Sequence, residues 1–105
     1  MNSQIRYDQY FLSYSSVRLP LNLVSPITPE SIPNRNTYFG ANLENGRICL
    51  IHKRVYGDIE LSHRYQYYPD GTLKTAEIQT IDDECIKLTF DTNGKVIDQE
   101  EITLE

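Results

Sequence analysis

From Tyr38 onward the chain alternates apolar and polar residues, and each alternating run stops at residues that favour a tight turn. The stretch "YQYYPDGTLKTAEI" (65–78) shows the pattern: tyrosines at every second place, a break at Pro-Asp-Gly, then a second run. Period-two alternation marks strands with one buried face, and Asn-Gly or Asp-Gly between two such runs marks a hairpin. Asn45-Gly46, Asp70-Gly71 and Asn93-Gly94 lie 25 and 23 residues apart, an internal repeat of about 24 residues, and each is followed by an aliphatic residue two places on: Ile48, Leu73 and Val96. Gly57-Asp58 and Asp82-Asp83 supply turns between them. The pattern predicts six strands at roughly 37–43, 47–56, 59–68, 72–81, 84–91 and 95–104. No connection is long enough for a crossover helix, so the fold class is all-β, a six-stranded antiparallel meander of tight hairpins.

The first third is less regular. "SVRLPLNLV" places Val17, Leu19, Leu21 and Leu23 on one side of an extended segment, and Pro20 among the opposite-facing residues suits an edge strand or a covering segment. "SPITPESIPNRN" then holds three prolines in eight residues, which favours a stiff extended loop. The expectation is one domain over 1–105, with residues 1–36 an N-terminal cover and Pro-rich loop and residues 37–105 the meander.

Turn chemistry also predicts a register. If Gly57-Asp58 is a two-residue turn, Tyr56 faces Ile59 and His52 lies opposite His63. If Pro-Asp-Gly is a type I turn with Gly71 in a bulge, Tyr68 faces Thr72 and His63 lies opposite Glu77. A row His52, His63, Glu77 then crosses three strands on an apolar face. Such a row has the ligand types for zinc, or for general acid–base work near neutral pH. The favoured reading is structural: a hydrogen-bonded polar row that pins the register, or partly exposed residues at the margin of the sheet. No cofactor other than zinc at this row is implied, and no metalloprotease, phosphate-loop or nucleophile-elbow motif accompanies it.

Fifteen acidic against ten basic residues give a formal charge of −5, a field that repels nucleic acid and anionic membranes. No window reaches the roughly 20 apolar residues of a membrane span, and the N-terminus lacks the features of a signal peptide, so a cytoplasmic location is expected. Cys49 and Cys85, on the second and fifth predicted strands, are on the order of 14 Å apart in an open sheet, too far for a disulfide. Asp82, Asp83, Glu84, Asp98, Glu100 and Glu101 gather at one end of the meander as a charged edge that discourages edge-to-edge pairing.

Eight tyrosines without a tryptophan suit strands, and tyrosine is also a residue of binding surfaces. Tyr56, Arg54 and Arg64, with Arg35 and Asn36 from the Pro-rich loop, are the candidate anchors of a partner-binding face. The reading is a non-enzymatic binding or regulatory module with a protein partner. The competing reading is a ligand- or metal-binding protein, or a minor enzyme, using the His-His-Glu row.

The segment "RYQYYPDGTL" resembles a unit of the YD and MORN-like β-repeats, a likeness that implies hairpins and no activity. "YSSVRLPLNLV", "NRNTYF", "VYGDIELSHRY" and "YYPDGTLKTAEI" together resemble a small bacterial family of about this length, a domain of unknown function. That resemblance covers nearly the whole chain, implies a stand-alone bacterial protein, and carries no activity, cofactor or site residue.

Overall fold

The computed structural model describes residues 6–15, 18–82 and 84–103. The six strands of the meander are present as β3 (Thr37–Glu44), β4 (Arg47–Val55), β5 (Asp58–Tyr67), β6 (Leu73–Thr80), β7 (Glu84–Phe90) and β8 (Val96–Thr103). They belong, however, to a sheet of eight strands and not six. Two strands from the expected cover, β1 (Gln9–Tyr14) and β2 (Leu23–Ile27), extend it in the order β2-β1-β3-β4-β5-β6-β7-β8.

The correction has a physical cause. A meander beginning at β3 leaves that strand's backbone donors and acceptors open, and "QYFLSY", rich in aromatic residues, pairs with it: Gln9 opposite Ala41, Tyr10 opposite Gly40, Phe11 opposite Phe39. The outermost strand β2 carries Pro26, tolerated there because one side of an edge strand makes no ladder bonds. The Pro-rich stretch includes a short 3₁₀ helix, Pro29–Asn34, before β3.

The covering role survives for the segment between β1 and β2. Leu21 is buried with Phe39, Ala41, Ile51, Tyr65 and Ala76, while Leu19 and Leu23 pack against that cluster; Val17 lies outside the described residues. Leu21 also donates its N–H to the Tyr65 hydroxyl at 3.1 Å, so the strap is held by apolar packing and by a buried polar bond.

The glycine turns are where the repeat places them. Gly46, Gly71 and Gly94 all have positive φ, and the Pro-Asp-Gly loop closes through Tyr68 N–H to the Thr72 carbonyl (2.8 Å) and Gly71 N–H to the Tyr68 carbonyl (2.9 Å). The loop before β8 repeats that pair of bonds, Asp91 N–H to the Lys95 carbonyl and Gly94 N–H to the Asp91 carbonyl. The expected turn at Asp82-Asp83 includes Asp83, outside the described residues.

Gly71 has φ of 93°, so Gly71→Val is expected to cost roughly 1–2 kcal/mol or more, because a β-branched residue is strained in that conformation. The midpoint of urea unfolding should fall accordingly. An unchanged midpoint would show that the loop does not need a left-handed residue there.

What the turn residues did not announce is a bulge just beyond each of the four glycine hairpins, while the β6–β7 ladder runs without one. The register shifts by one residue at Cys49 in β4, Glu60 in β5, Lys74 in β6 and Ile97 in β8. In every case the unpaired residue stands three places after the turn glycine: Gly46, Gly57, Gly71 and Gly94. Each insertion moves the residues beyond it to the opposite face relative to a regular ladder.

Candidate functional site

The bulges separate the residues that turn geometry alone would bring together. The β4–β5 turn is Tyr56-Gly57, not Gly57-Asp58, with Val55 opposite Asp58; the bulge at Glu60 then sets His52 opposite Ser62 and His63 opposite Ile51. Tyr68 does meet Thr72, but the bulge at Lys74 sets His63 opposite Ile78 and Glu77 opposite Arg64. His63 therefore lies on the core face, and His52 and Glu77 on the outer face in different cross-strand rows. The His52, His63, Glu77 row does not form. Among the described residues no group of three or more His, Cys, Asp or Glu is placed to hold a metal ion.

Each histidine instead has a tyrosine. His63 Nδ1 is 2.7 Å from the hydroxyl of Tyr65, the same hydroxyl that receives the Leu21 N–H. Since that oxygen already accepts from Leu21, its own proton is free to go to a neutral imidazole. Burial alone pushes the His63 pKa down to about 4 and contributes first to raising that of Tyr65 to about 12.

His52 Nδ1 lies 2.8 Å from the hydroxyl of Tyr7, which also accepts from Arg54 Nη1 at 3.1 Å. Burial, reinforced by the positive charges of Arg64 and Arg54, lowers the His52 pKa; burial raises that of Tyr7 against the pull of Arg54. A neutral His52 accepting from Tyr7 fits both directions.

Tyr7 is the floor of a cleft on the outer face. Its ring lies flat over Gly40, in the place a Cβ would occupy, a close approach that requires glycine in the middle of β3. Edge-on contacts join it to Tyr10 (ring centroids 5.8 Å apart) and His52 (5.6 Å), and Tyr10 in turn meets Tyr38 at 5.9 Å. The 3₁₀ turn supplies an opposite wall of Pro29, Ile32 and Pro33, and the volume of this open cleft is about 610 Å³.

Three arginines enter the same cleft. Arg54 is fixed from within: Nη1 donates to Tyr7, Nη2 to the Gly57 carbonyl, and its buried Nε has no acceptor. Arg6 and Arg35 line the rim with exposed side chains.

Of the residues expected to bind, Arg35 and Arg54 thus meet. Asn36 contributes its backbone carbonyl, which accepts the Tyr56 N–H at 2.7 Å and ties the approach to β3 to the β4–β5 turn. Tyr56 projects from that turn, 76% exposed and with φ of 49°. Arg64 is on the outer face but farther along β5, between Leu50 and Glu77. Sequence reasoning did not single out Arg6, Tyr7, Tyr10 or Tyr38; the available signal was Gly40, an isolated glycine inside a strand pattern.

Cys49 and Cys85 are free thiols on β4 and β7, as their expected separation required, with Cys49 held as a weak donor to the Asn42 carbonyl and its pKa raised chiefly by burial. Among the described residues no helix is long and apolar enough to cross a membrane.

The chain belongs to a family of unknown function, DUF6156, whose model matches residues 3–99. No curated protein and no solved structure shows a significant match.

Proposed function

Because the family brings no activity with it, the reading has to come from the cleft, and we propose that the protein is a non-enzymatic binding module that engages a protein partner through the Tyr/Arg face formed by β1, β3, β4 and the 3₁₀ turn. The observation that carries this reading is the convergence of Tyr7, Tyr10 and Tyr38 with Arg6, Arg35 and Arg54 in one cleft. Tyrosine and arginine are the side chains most enriched at the energetic centres of interfaces, and here their backbones sit on, or next to, paired strands. Little ordering of the scaffold is then needed on binding.

Tyr56 supports the same reading. A bulky side chain in the left-handed region is strained, and the two-residue turn it occupies favours asparagine or glycine at that place, as at Asn45 in the preceding hairpin. An aromatic residue that is both strained and exposed beside a cleft serves something other than folding. Tyr56→Asn is accordingly expected to raise stability by about 0.5–1 kcal/mol while weakening partner binding. A variant that is both less stable and fully competent to bind would contradict the role given to Tyr56.

The direct test is photo-crosslinking in the native cell with a benzophenone amino acid at Asn36, at the rim, and at Lys95, in the distant β7–β8 loop. A discrete protein adduct from position 36, absent from position 95 and lost with Tyr38→Ala, is the expected result. No adduct at position 36, or one indifferent to Tyr38→Ala, would sink the proposal.

A further inference from the structure

We infer that the cleft is a phosphomonoester site, and that the partner of the preceding section presents a phosphorylated side chain to it; the second clause rests on that reading and the first does not. Three guanidinium groups line one cavity, and none of them is paired with a carboxylate among the described residues. Of the acidic residues near the cleft in sequence, Asp8 Oδ2 accepts the Leu43 N–H at 2.8 Å and Glu60 lies 3.7 Å from Lys53 Nζ, while Glu30 of the 3₁₀ turn is exposed to solvent and forms no ion pair with the three arginines. Asp58 follows Gly57 in the turn and is exposed to solvent. In a chain of net charge −5, a cavity bearing three arginines without a counter-ion is an unneutralised site, and the missing charge is that of a ligand.

The count of charges selects the ligand class. A single carboxylate is matched by one bidentate arginine, whereas a phosphomonoester carries nearly two charges near pH 7 and three acceptor oxygens, enough for several guanidinium forks at once. Arg54 is positioned for this before any ligand arrives, because its bonds to Tyr7 and the Gly57 carbonyl fix the plane of the guanidinium. Tyr10 and Tyr38 present aromatic surface next to that charge, suited to the group that carries the phosphate.

The acidic strands at the far end of the sheet do not oppose this. The exposed carboxylates of Glu84, Asp98, Glu100 and Glu101 lie on β7 and β8. Four strand spacings of about 4.8 Å put β8 roughly 19 Å from β4 along the sheet, more than two Debye lengths at physiological salt.

The test is an NMR titration of the intact protein with phenyl phosphate, with benzoate as the carboxylate control and inorganic phosphate as the free-ion control. The expected result is saturable shifts of the Arg35, Tyr38 and Arg54 signals, with a dissociation constant on the order of millimolar and weakening as salt is raised. Benzoate should bind about tenfold more weakly, Arg35→Ala should weaken phenyl phosphate by about tenfold, and Lys95→Ala should leave it unchanged. Arg35 is exposed, so its substitution does not endanger the fold. No saturable shift, equal binding of benzoate, or binding indifferent to Arg35→Ala overturns the site.

The source of the phosphate is read separately. Phenyl phosphate binding well above inorganic phosphate supports a phosphorylated side chain, and equal binding of the two overturns that assignment. If the crosslink still forms after the partner has been dephosphorylated, the assignment of a phosphorylated side chain falls and the partner reading stands. If phenyl phosphate saturates the cleft and no crosslink forms, the partner reading falls and the phosphate site stands.

Discussion

Gly40→Val is expected to lower stability by about 3 kcal/mol and to dismantle the cleft, although valine is the better strand former. The new Cβ would overlap Cγ and Cδ2 of Tyr7, and the ring has no room to slide because Tyr10 and His52 contact it and Arg54 and His52 hold its hydroxyl. Tyr7, only 7% exposed, has to leave. Its burial is worth about 1.5–3 kcal/mol, and His52 left without its partner adds about 1–3 kcal/mol, before any relief from new contacts made by the valine. Urea unfolding measures the loss directly. The cause is isolated by a double-mutant cycle: in a Tyr7→Ala background, Gly40→Val should cost much less than it does alone. Equal costs in both backgrounds would place the strain somewhere other than under the Tyr7 ring.

The second large effect is a loss of stability in mild acid. In the folded protein the pKa of His63 is pushed down to about 4 by burial, against an ordinary 6.5, so in the unfolded chain the imidazole takes up its proton first. Stability is therefore complete above pH 6.5, declines as the pH falls, and is reduced by about 3 kcal/mol near pH 4, where the folded form begins to protonate as well. His52, shifted in the same direction chiefly by burial, adds to the slope. Chemical unfolding between pH 7 and pH 4 should show the decline, and His63→Gln should remove most of it. A slope unchanged in His63→Gln would mean that the histidine under the strap is not the group being protonated. The same curve bears on the Leu19–Leu23 segment, because protonated His63 no longer accepts from Tyr65, whose oxygen holds Leu21 in place.

Much of this fold can be read in the chain, and the failures have definite causes. The hairpins were legible because their glycines occupy positive φ and because the alternation around them is clean. The strand β1 was not, because "QYFLSYSS" mixes aromatic and hydroxyl residues without strict alternation and its pairing partner lies across the Pro-rich segment. Missing β1 meant missing Tyr7 and Tyr10, and with them the floor of the cleft. Arg35 and Arg54, candidates by residue type, line one cleft because the β3–β4 pairing sets the approach to β3 beside the β4–β5 turn, where Asn36 contributes its backbone carbonyl. Arg64 was grouped with them on composition, and the structure places it farther along the same face.

The histidine row failed for a subtler reason. Both turn arguments were nearly right: Tyr68 and Thr72 do pair, and the β4–β5 loop is displaced by one residue. The unpaired residues at Glu60 and Lys74 then reversed the side-chain orientation beyond them, and nothing in the hydrophobicity of "GDIEL" or "GTLKT" distinguishes a bulge from a regular strand.

Four bulges at the same distance from four turn glycines give the sheet something like a reading frame. Each of these four hairpins carries its own one-residue correction, so a whole hairpin with its bulge is a unit that can be duplicated or removed while the inside and outside of its neighbours are preserved. The bulge residue is the slack in that frame: deleting Glu60 alone would straighten the ladder and leave Lys53 opposite Leu61 and His63 opposite Ile51, whereas a regular ladder that took Glu60 into its pairing would exchange Tyr65 and His63 with Arg64 and Ser62 across the sheet, as a frameshift garbles a message.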